Sequence, residues 1–220
     1  MALILNIETA TSVCSVALSK DGSLLALRES TIDKSHSSLI TVFIQDIFSE
    51  TNYSVQNLDA VAVSAGPGSY TGLRIGASVA KGLCYAADLP LIAIDTLAAM
   101  ATGVQKKYPD VVLFCPMLDA RRMEVFCGGL NKSGEYLLPA KAMILDSSSF
   151  DSLLSKYEIL FFGSGATKFQ PLISNNNAFF DSTFSCSAAH MIPLSIKAFG
   201  KKLFEDMPHF EPHYLKAYGG

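Results

Sequence analysis

The residues best suited to chemistry are Gly66-Pro67-Gly68-Ser69-Tyr70-Thr71-Gly72, with Arg74 two positions on. An apolar strand precedes them and a helix follows, so backbone N–H groups at the helix start could cradle an anion. No Gly-Lys-Ser/Thr closes the segment and the G-x-G-x-x-G spacing is missing, which excludes a Walker A loop and a dinucleotide fingerprint. A purely structural role competes: glycine for tight turning and close helix packing, Pro67 for rigidity. A second strand-to-loop pair, Gly163 and Gly165, lies in the other half of the chain, and two such loops would face one nucleotide cleft. Glu8, Thr9, Thr11 and Asp119 stand at strand ends, where carboxylates can hold a magnesium–phosphate unit through water. Asp119 is equally readable as a solvated charge paired with Arg121 or Arg122.

Hydrolytic and metal chemistry find little support. The histidines are His36, His190, His209 and His213, and no H-x-x-x-H or H-E-x-x-H pair occurs. There is no G-x-S-x-G elbow. The expectation is therefore no catalytic residue and no metal ligand. Five cysteines, odd in number and widely spaced within apolar stretches, read as reduced core thiols.

Positioning these residues requires alternating strands and helices. Strands are expected at Leu3–Glu8, Val13–Ser19 and Leu24–Ser30, with Asp21-Gly22 as a type I′ hairpin turn. A helix capped by Ser35 runs to about Glu50. Then come a strand at Asp59–Ser64, a helix at Thr71–Ala87, a strand at Leu91–Ile94 and a helix from Thr96 to about Tyr108. The order starts again with strands at Val111–Leu118, Glu124–Asn131 and Glu135–Leu138, a helix near Phe150–Ser155 and a strand at Ile159–Phe162. A last helix covers about Ala188–Asp206. Two halves repeating βββα then βα predict a duplicated, two-lobed α/β protein with mixed sheets. Lobe one spans 1–101 (βββαβαβ) and lobe two 102–220, with a tail that can pack back on lobe one.

Composition narrows the class. The chain has 220 residues, half of them apolar, and a net charge of −3, which argues against gripping nucleic acid unaided. Mean hydropathy is high at +0.31, yet no apolar run approaches the ~18–20 residues of a membrane span. The first residues lack a basic leader, so a cytoplasmic chain without membrane attachment is expected. The apolar excess concentrates on two helices. Leu39, Ile40, Val42, Phe43, Ile44, Ile47 and Phe48 cover roughly 240° of the first, where packing on one sheet needs little more than 100°. Gly72, Gly76 and Ala80 recur every fourth residue of the second, allowing another backbone to approach, and Ile75, Val79 and Leu83 flank them. These faces are expected to meet each other, a covering loop or a partner chain.

Ile7-Glu8-Thr9-Ala10-Thr11, the Gly66–Gly76 segment, Leu118-Asp119-Ala120-Arg121 and Glu211-Pro212-His213-Tyr214-Leu215-Lys216 together resemble the bacterial TsaB (YeaZ) family over the whole chain. The resemblance implies the actin/Hsp70/sugar-kinase fold. It also implies a non-catalytic subunit in the making of threonylcarbamoyladenosine beside the anticodon of tRNAs that read codons beginning with A. In that system TsaD transfers the group, TsaB is its paralogous partner, and TsaE is an ATPase reached through the complex. TsaD's metal-binding H-x-x-x-H has no counterpart in Ile94-Asp95-Thr96-Leu97-Ala98-Ala99-Met100, so ATP or ADP and metal are implied to belong to partner subunits. The family usually carries Asp where this chain has Glu8. The resemblance places the TsaD contact, or a homodimer contact when the chain is alone, on Leu39, Ile40, Phe43, Ile47, Gly72, Ile75, Gly76, Val79, Ala80 and Leu83, with tRNA held mainly by partners. The competing class is a small-molecule phosphotransferase of the same fold, which would need phosphate loops in both lobes.

Overall fold

A computed structural model describes residues 1–32 and 35–216. The chain divides into two compact units: Met1–Ala99 with Cys186–Tyr214, and Met100–Ser185 with the C-terminal residues from Leu215. This differs from the two contiguous spans drawn at residue 101. The segment Cys186–Tyr214 closes the first unit, because Ala188, Met191 and Ile192 pack with Ile4, Ala17, Ala62 and Ile92 on one face of its sheet.

Unit 1 contains β1 (Leu3–Glu8), β2 (Cys14–Lys20), β3 (Ser23–Ser30), α1 (His36–Thr51), β4 (Ala60–Gly66), α2 (Tyr70–Ala87) and β5 (Leu91–Asp95). The sheet order is β3-β2-β1-β4-β5. Pairing is antiparallel through the β1–β2–β3 hairpins and parallel from β1 to β4 and β5. Asp21 and Gly22 both have positive φ, 51° and 79°, as the type I′ turn requires. Helices cover one sheet face and the C-terminal return covers the other. Consequently β1 and β4 are buried at every residue rather than at alternate ones.

The division falls within α3 (Thr96–Gln105). Unit 2 holds β6 (Leu113–Asp119), β7 (Glu124–Asn131), β8 (Tyr136–Ile144), α4 (Asp151–Leu154), β9 (Ile159–Phe162), α5 (Ala166–Phe169) and β10 (Ala178–Asp181). Its order, β10-β9-β6-β7-β8, is the unit 1 order with β6 in the place of β1, so the duplication extends to sheet topology. Phe150, Phe161 and Phe169 form its aromatic centre, with ring centroids 4.9–5.0 Å apart.

Several elements depart from the sequence reading. β8 runs six residues beyond Leu138, passing through Pro139, which a sheet-edge strand accommodates without losing a ladder bond. β10 was not expected; it is four residues long and half-exposed. The last helix is shorter than Ala188–Asp206: a 3-10 turn at Ala188–Met191 leads into α6 (Ile192–Gly200), with Pro193 in its first turn. Ser35 precedes α1 but does not cap it. Its hydroxyl donates to the Ile32 carbonyl at 2.6 Å instead.

Candidate functional site

In unit 1 the glycine segment, the end of β1 and the C-terminal return converge. β4 delivers Gly66, whose φ of +106° suits glycine. A side chain there would lie 2.4 Å from the His213 carbonyl oxygen, and the His213 amide donates to the Ala65 carbonyl at 2.7 Å. Gly68 touches Ala10, and Gly72 and Gly76 touch Thr9; a Cβ at these positions would meet Ala10 O, Thr9 O and Thr9 Oγ1 at 2.4, 2.2 and 2.3 Å. Pro67 follows Gly66 in a cis peptide. The Ser69 amide donates to the Ala10 carbonyl at 2.7 Å, and the Ser69 hydroxyl accepts from the Gly72 amide at 3.2 Å.

Two donors of this segment, the Ser69 and Gly72 amides, are thus engaged within the chain. Gly66–Gly72 seats the Thr9–Ala10 loop on the first turns of α2, the packing role read from its glycines. Thr71 is exposed on the first turn. Arg74, grouped with the glycine segment, stacks over the Tyr70 ring at 4.3 Å and donates from Nε to the Tyr214 hydroxyl at 3.2 Å. It ties down the C-terminal strap, as Lys81 does through the Pro208 and Phe210 carbonyls. Sequence reasoning missed Phe210 and Tyr214 as the anchors of this strap. Phe210, an aromatic flanked by His209 and Glu211 and buried in the fold, was the available clue.

Glu8 is 1% exposed and does not present a carboxylate to a hydrated cation. Its Oε1 accepts from the Ala10 amide at 2.5 Å, and burial pushes the carboxyl up to about 7 against that hydrogen bond and one from Ser64. Thr9 is fully buried. Thr11 offers its carbonyl to the His36 ring at 2.9 Å, which joins this loop to the start of α1. Burial also raises the Cys186 thiol, with Glu8 as a further cause, so it is not a poised nucleophile. All five cysteines are free and buried.

The remaining cleft candidates lie in unit 2. Asp119 ends β6 and pairs with Lys168 at 2.7 Å. Gly163, at φ +92°, packs against Met100 and Met117, and Gly165 against Val125 and Leu118. The Gly165 amide donates to the Met117 carbonyl at 2.9 Å, so this loop also spends a donor internally. Among the described residues no group of three or more His, Cys, Asp or Glu side chains stands close enough to share a metal ion.

The ten interface candidates separate by burial. Ile40, Ile47 and Ala80 belong to the core of unit 1, and Gly72 and Gly76 are covered by Thr9; these five face their own chain. The close backbone approach expected at the glycines is real, but Thr9 occupies it. Leu39, Phe43, Ile75, Val79 and Leu83 are half-buried at the outer edge of that core. An open groove of about 600 Å³ between the helices is lined by Phe48, Tyr53, Val79 and Leu83, among others.

The family model of TsaD, tRNA N6-adenosine threonylcarbamoyltransferase, matches residues 30–218. The chain is 41% identical over 123 residues to the tRNA threonylcarbamoyladenosine biosynthesis protein TsaB of Escherichia coli K12. It is 36% identical over 123 residues to the protein of the same name from Haemophilus influenzae. Each alignment covers 56% of this chain and 52% or 51% of the relative, so the chain spans about half the length of these curated relatives. YeaZ from Pseudomonas aeruginosa has a similar fold, with a TM-score of 0.81 and 24% identity over 98% of this chain and all of that one.

Proposed function

The chain belongs to the TsaD family, among its TsaB (YeaZ) members, and from that premise we propose that it is a non-catalytic subunit of the assembly that makes threonylcarbamoyladenosine in tRNA. It docks a TsaD-type transferase through the outer α1–α2 surface. The observation that carries this reading is that Leu39, Phe43, Ile75, Val79 and Leu83 pack on the outer edge of the unit 1 core and stay only half-buried, beside an open groove of about 600 Å³. The same face joins two copies when the partner is absent. TsaE is reached through the complex, and nucleotide and metal are handled by the partner subunits. Phosphotransfer by this chain is disfavoured because the Ser69, Gly72 and Gly165 amides are committed internally.

A reconstituted modification system lacking only its TsaB-type subunit tests the reading. Adding this chain should restore threonylcarbamoylation of an unmodified tRNA transcript, whereas the chain alone should produce none. Failure to restore it, or turnover by the purified chain alone, overturns the proposal.

Phe43→Glu and Leu83→Glu test the surface. Each places a charge in a contact that excludes water, where desolvation costs several kcal/mol unless a partner charge is found. TsaD affinity should fall about 30-fold or more, with melting close to the parent's, and excess TsaD should recover activity by mass action. Unchanged affinity in both folded variants would place the contact elsewhere.

A further inference from the structure

Of the four arginines, Arg28 pairs with Glu50 and Arg74 is held by Tyr70 and Tyr214. The other two, Arg121 and Arg122, are adjacent and exposed on the turn between β6 and β7 in unit 2. Neither forms an ion pair with an acidic side chain among the described residues. The nearby carboxylates are already neutralised: Asp119 by Lys168 and Glu124 by Lys216, each at 2.7 Å. Formal charges of Asp119, Arg121, Arg122, Glu124, Lys168 and Lys216 therefore sum to a local excess of cation, on a chain whose net charge is −3.

The backbone fixes this pair in place. Arg121 and Arg122 have φ of 71° and 48°, a left-handed conformation that side-chain-bearing residues adopt at a cost. Asp119 Oδ1 accepts from the Arg121 amide at 2.6 Å, and the Glu124 amide donates to the Arg121 carbonyl at 3.0 Å. The Ala120 amide closes the turn on the Glu124 carbonyl at 3.1 Å. Two guanidinium groups are thus displayed on a turn that the Asp119 carboxylate and the Glu124 backbone hold, with both carboxylates paired to lysines.

We propose that Arg121 and Arg122 contact the sugar–phosphate backbone of the RNA substrate directly. This rests on the tRNA-modification reading and extends it, since that reading leaves tRNA mainly to partner subunits. Guanidinium groups bind phosphate oxygens through paired hydrogen bonds. Met123, 40% exposed, is the apolar group the turn itself displays, far short of the roughly 800 Å² per side of a stable protein interface. A contact to two phosphates is also modest enough for an acidic chain that acts within a complex.

The test measures binding of the full chain to an unmodified tRNA transcript between 25 and about 200 mM KCl, a range in which phosphate contacts show as salt dependence. Arg121→Gln/Arg122→Gln is compared with the parent, with Arg121→Lys/Arg122→Lys, and with Lys201→Gln/Lys202→Gln, which removes equal charge from unit 1. The slope of log affinity against log salt should fall by about 1.5 in the glutamine variant, with at least about tenfold weaker binding at the lowest salt. The lysine-for-arginine variant should retain most of the slope, and the Lys201/Lys202 variant all of it. An equal loss in the Lys201/Lys202 variant, no tRNA binding by the parent at the lowest salt, or parental binding by a folded glutamine variant overturns the proposal. So does a glutamine variant that binds tRNA normally but loses TsaD, which would make the turn a protein contact. If the chain restores modification while tRNA binding ignores Arg121 and Arg122, the contact fails and the functional reading stands. If modification is not restored at all, the functional reading fails first.

Discussion

Gly72→Ala is expected to cost unit 1 about 3 kcal/mol or more, whereas Gly82→Ala in the same helix should add about 0.5–1 kcal/mol. Intrinsic helix preference favours alanine at both sites, so the opposite signs must come from surroundings. A Cβ on Gly82 meets no atom within 4 Å, and replacement there only reduces the freedom of the unfolded chain. A Cβ on Gly72 would lie 2.2 Å from the Thr9 carbonyl oxygen. That oxygen is backbone and cannot swing aside as a side-chain tip can. The loop carrying it is also held by Ser69 through Ala10 and by His36 through Thr11. Relieving the clash must lift α2 or break those bonds. Gly76→Phe belongs to the same class: it should destabilise unit 1 rather than selectively detach a partner, because Thr9 fills the space beside Gly76. Denaturant or thermal unfolding of the purified variants checks this. Equal melting of the Gly72 and Gly82 variants would mean that the Thr9 loop does not pack against α2 in solution.

These glycines show where sequence reasoning succeeds and where it stops. Their four-residue spacing correctly announces a close backbone approach, because periodicity is a local property. What approaches is Thr9, more than sixty residues away, and that is decided by β1 lying parallel to β4. For the same reason Asp21-Gly22, Glu124–Asn131 and Ile159–Phe162 were legible: turn chemistry and apolar runs suffice for them. The strand expected to end at Leu138 continues through Pro139, since a strand's place at the sheet edge makes proline harmless there. The role of Arg74 was not legible, because its tyrosine partner at 214 arrives from the far end of the chain. On the outer surface of α1 and α2 the sequence reading identified surplus apolar area, but separating Phe43 and Val79 from Ile40 and Ala80 needed the packed sheet.

Glu8→Gln should leave stability at pH 5 nearly unchanged and raise it at pH 8 by about 3 kcal/mol, on the order of 10 °C in melting temperature for a unit of this size. Glu8 is the residue whose character the sequence hid most completely, since a strand-end carboxylate reads as a solvent-facing ligand. Burial raises it from 4.5 to about 7. Between those two values the folded chain retains a proton that the unfolded chain has lost. Stability therefore falls as pH rises through the window and levels off above about 7, where the folded state carries a buried carboxylate. Glutamine keeps an oxygen to accept from the Ala10 amide and cannot ionise, so the variant escapes the loss. Other titrating groups contribute equally to parent and variant, and the difference between their pH profiles isolates position 8. Glu8→Ala supplies the control: it leaves the Ala10 amide without its acceptor and should be less stable than the glutamine variant at both pH values. A parent-to-glutamine difference that is the same at pH 5 and pH 8 would mean that Glu8 is ionised throughout and solvated in the folded chain. The position of Glu8 ties the loop to the helix beside it. The Thr9 and Ala10 amides favour the ionised carboxylate and burial outweighs them, and these are the same residues that Gly68, Gly72 and Gly76 hold against α2. Combining Gly72→Ala with Glu8→Gln should consequently give less than the sum of their separate effects at pH 8, because a loop already displaced from α2 no longer keeps Glu8 dry.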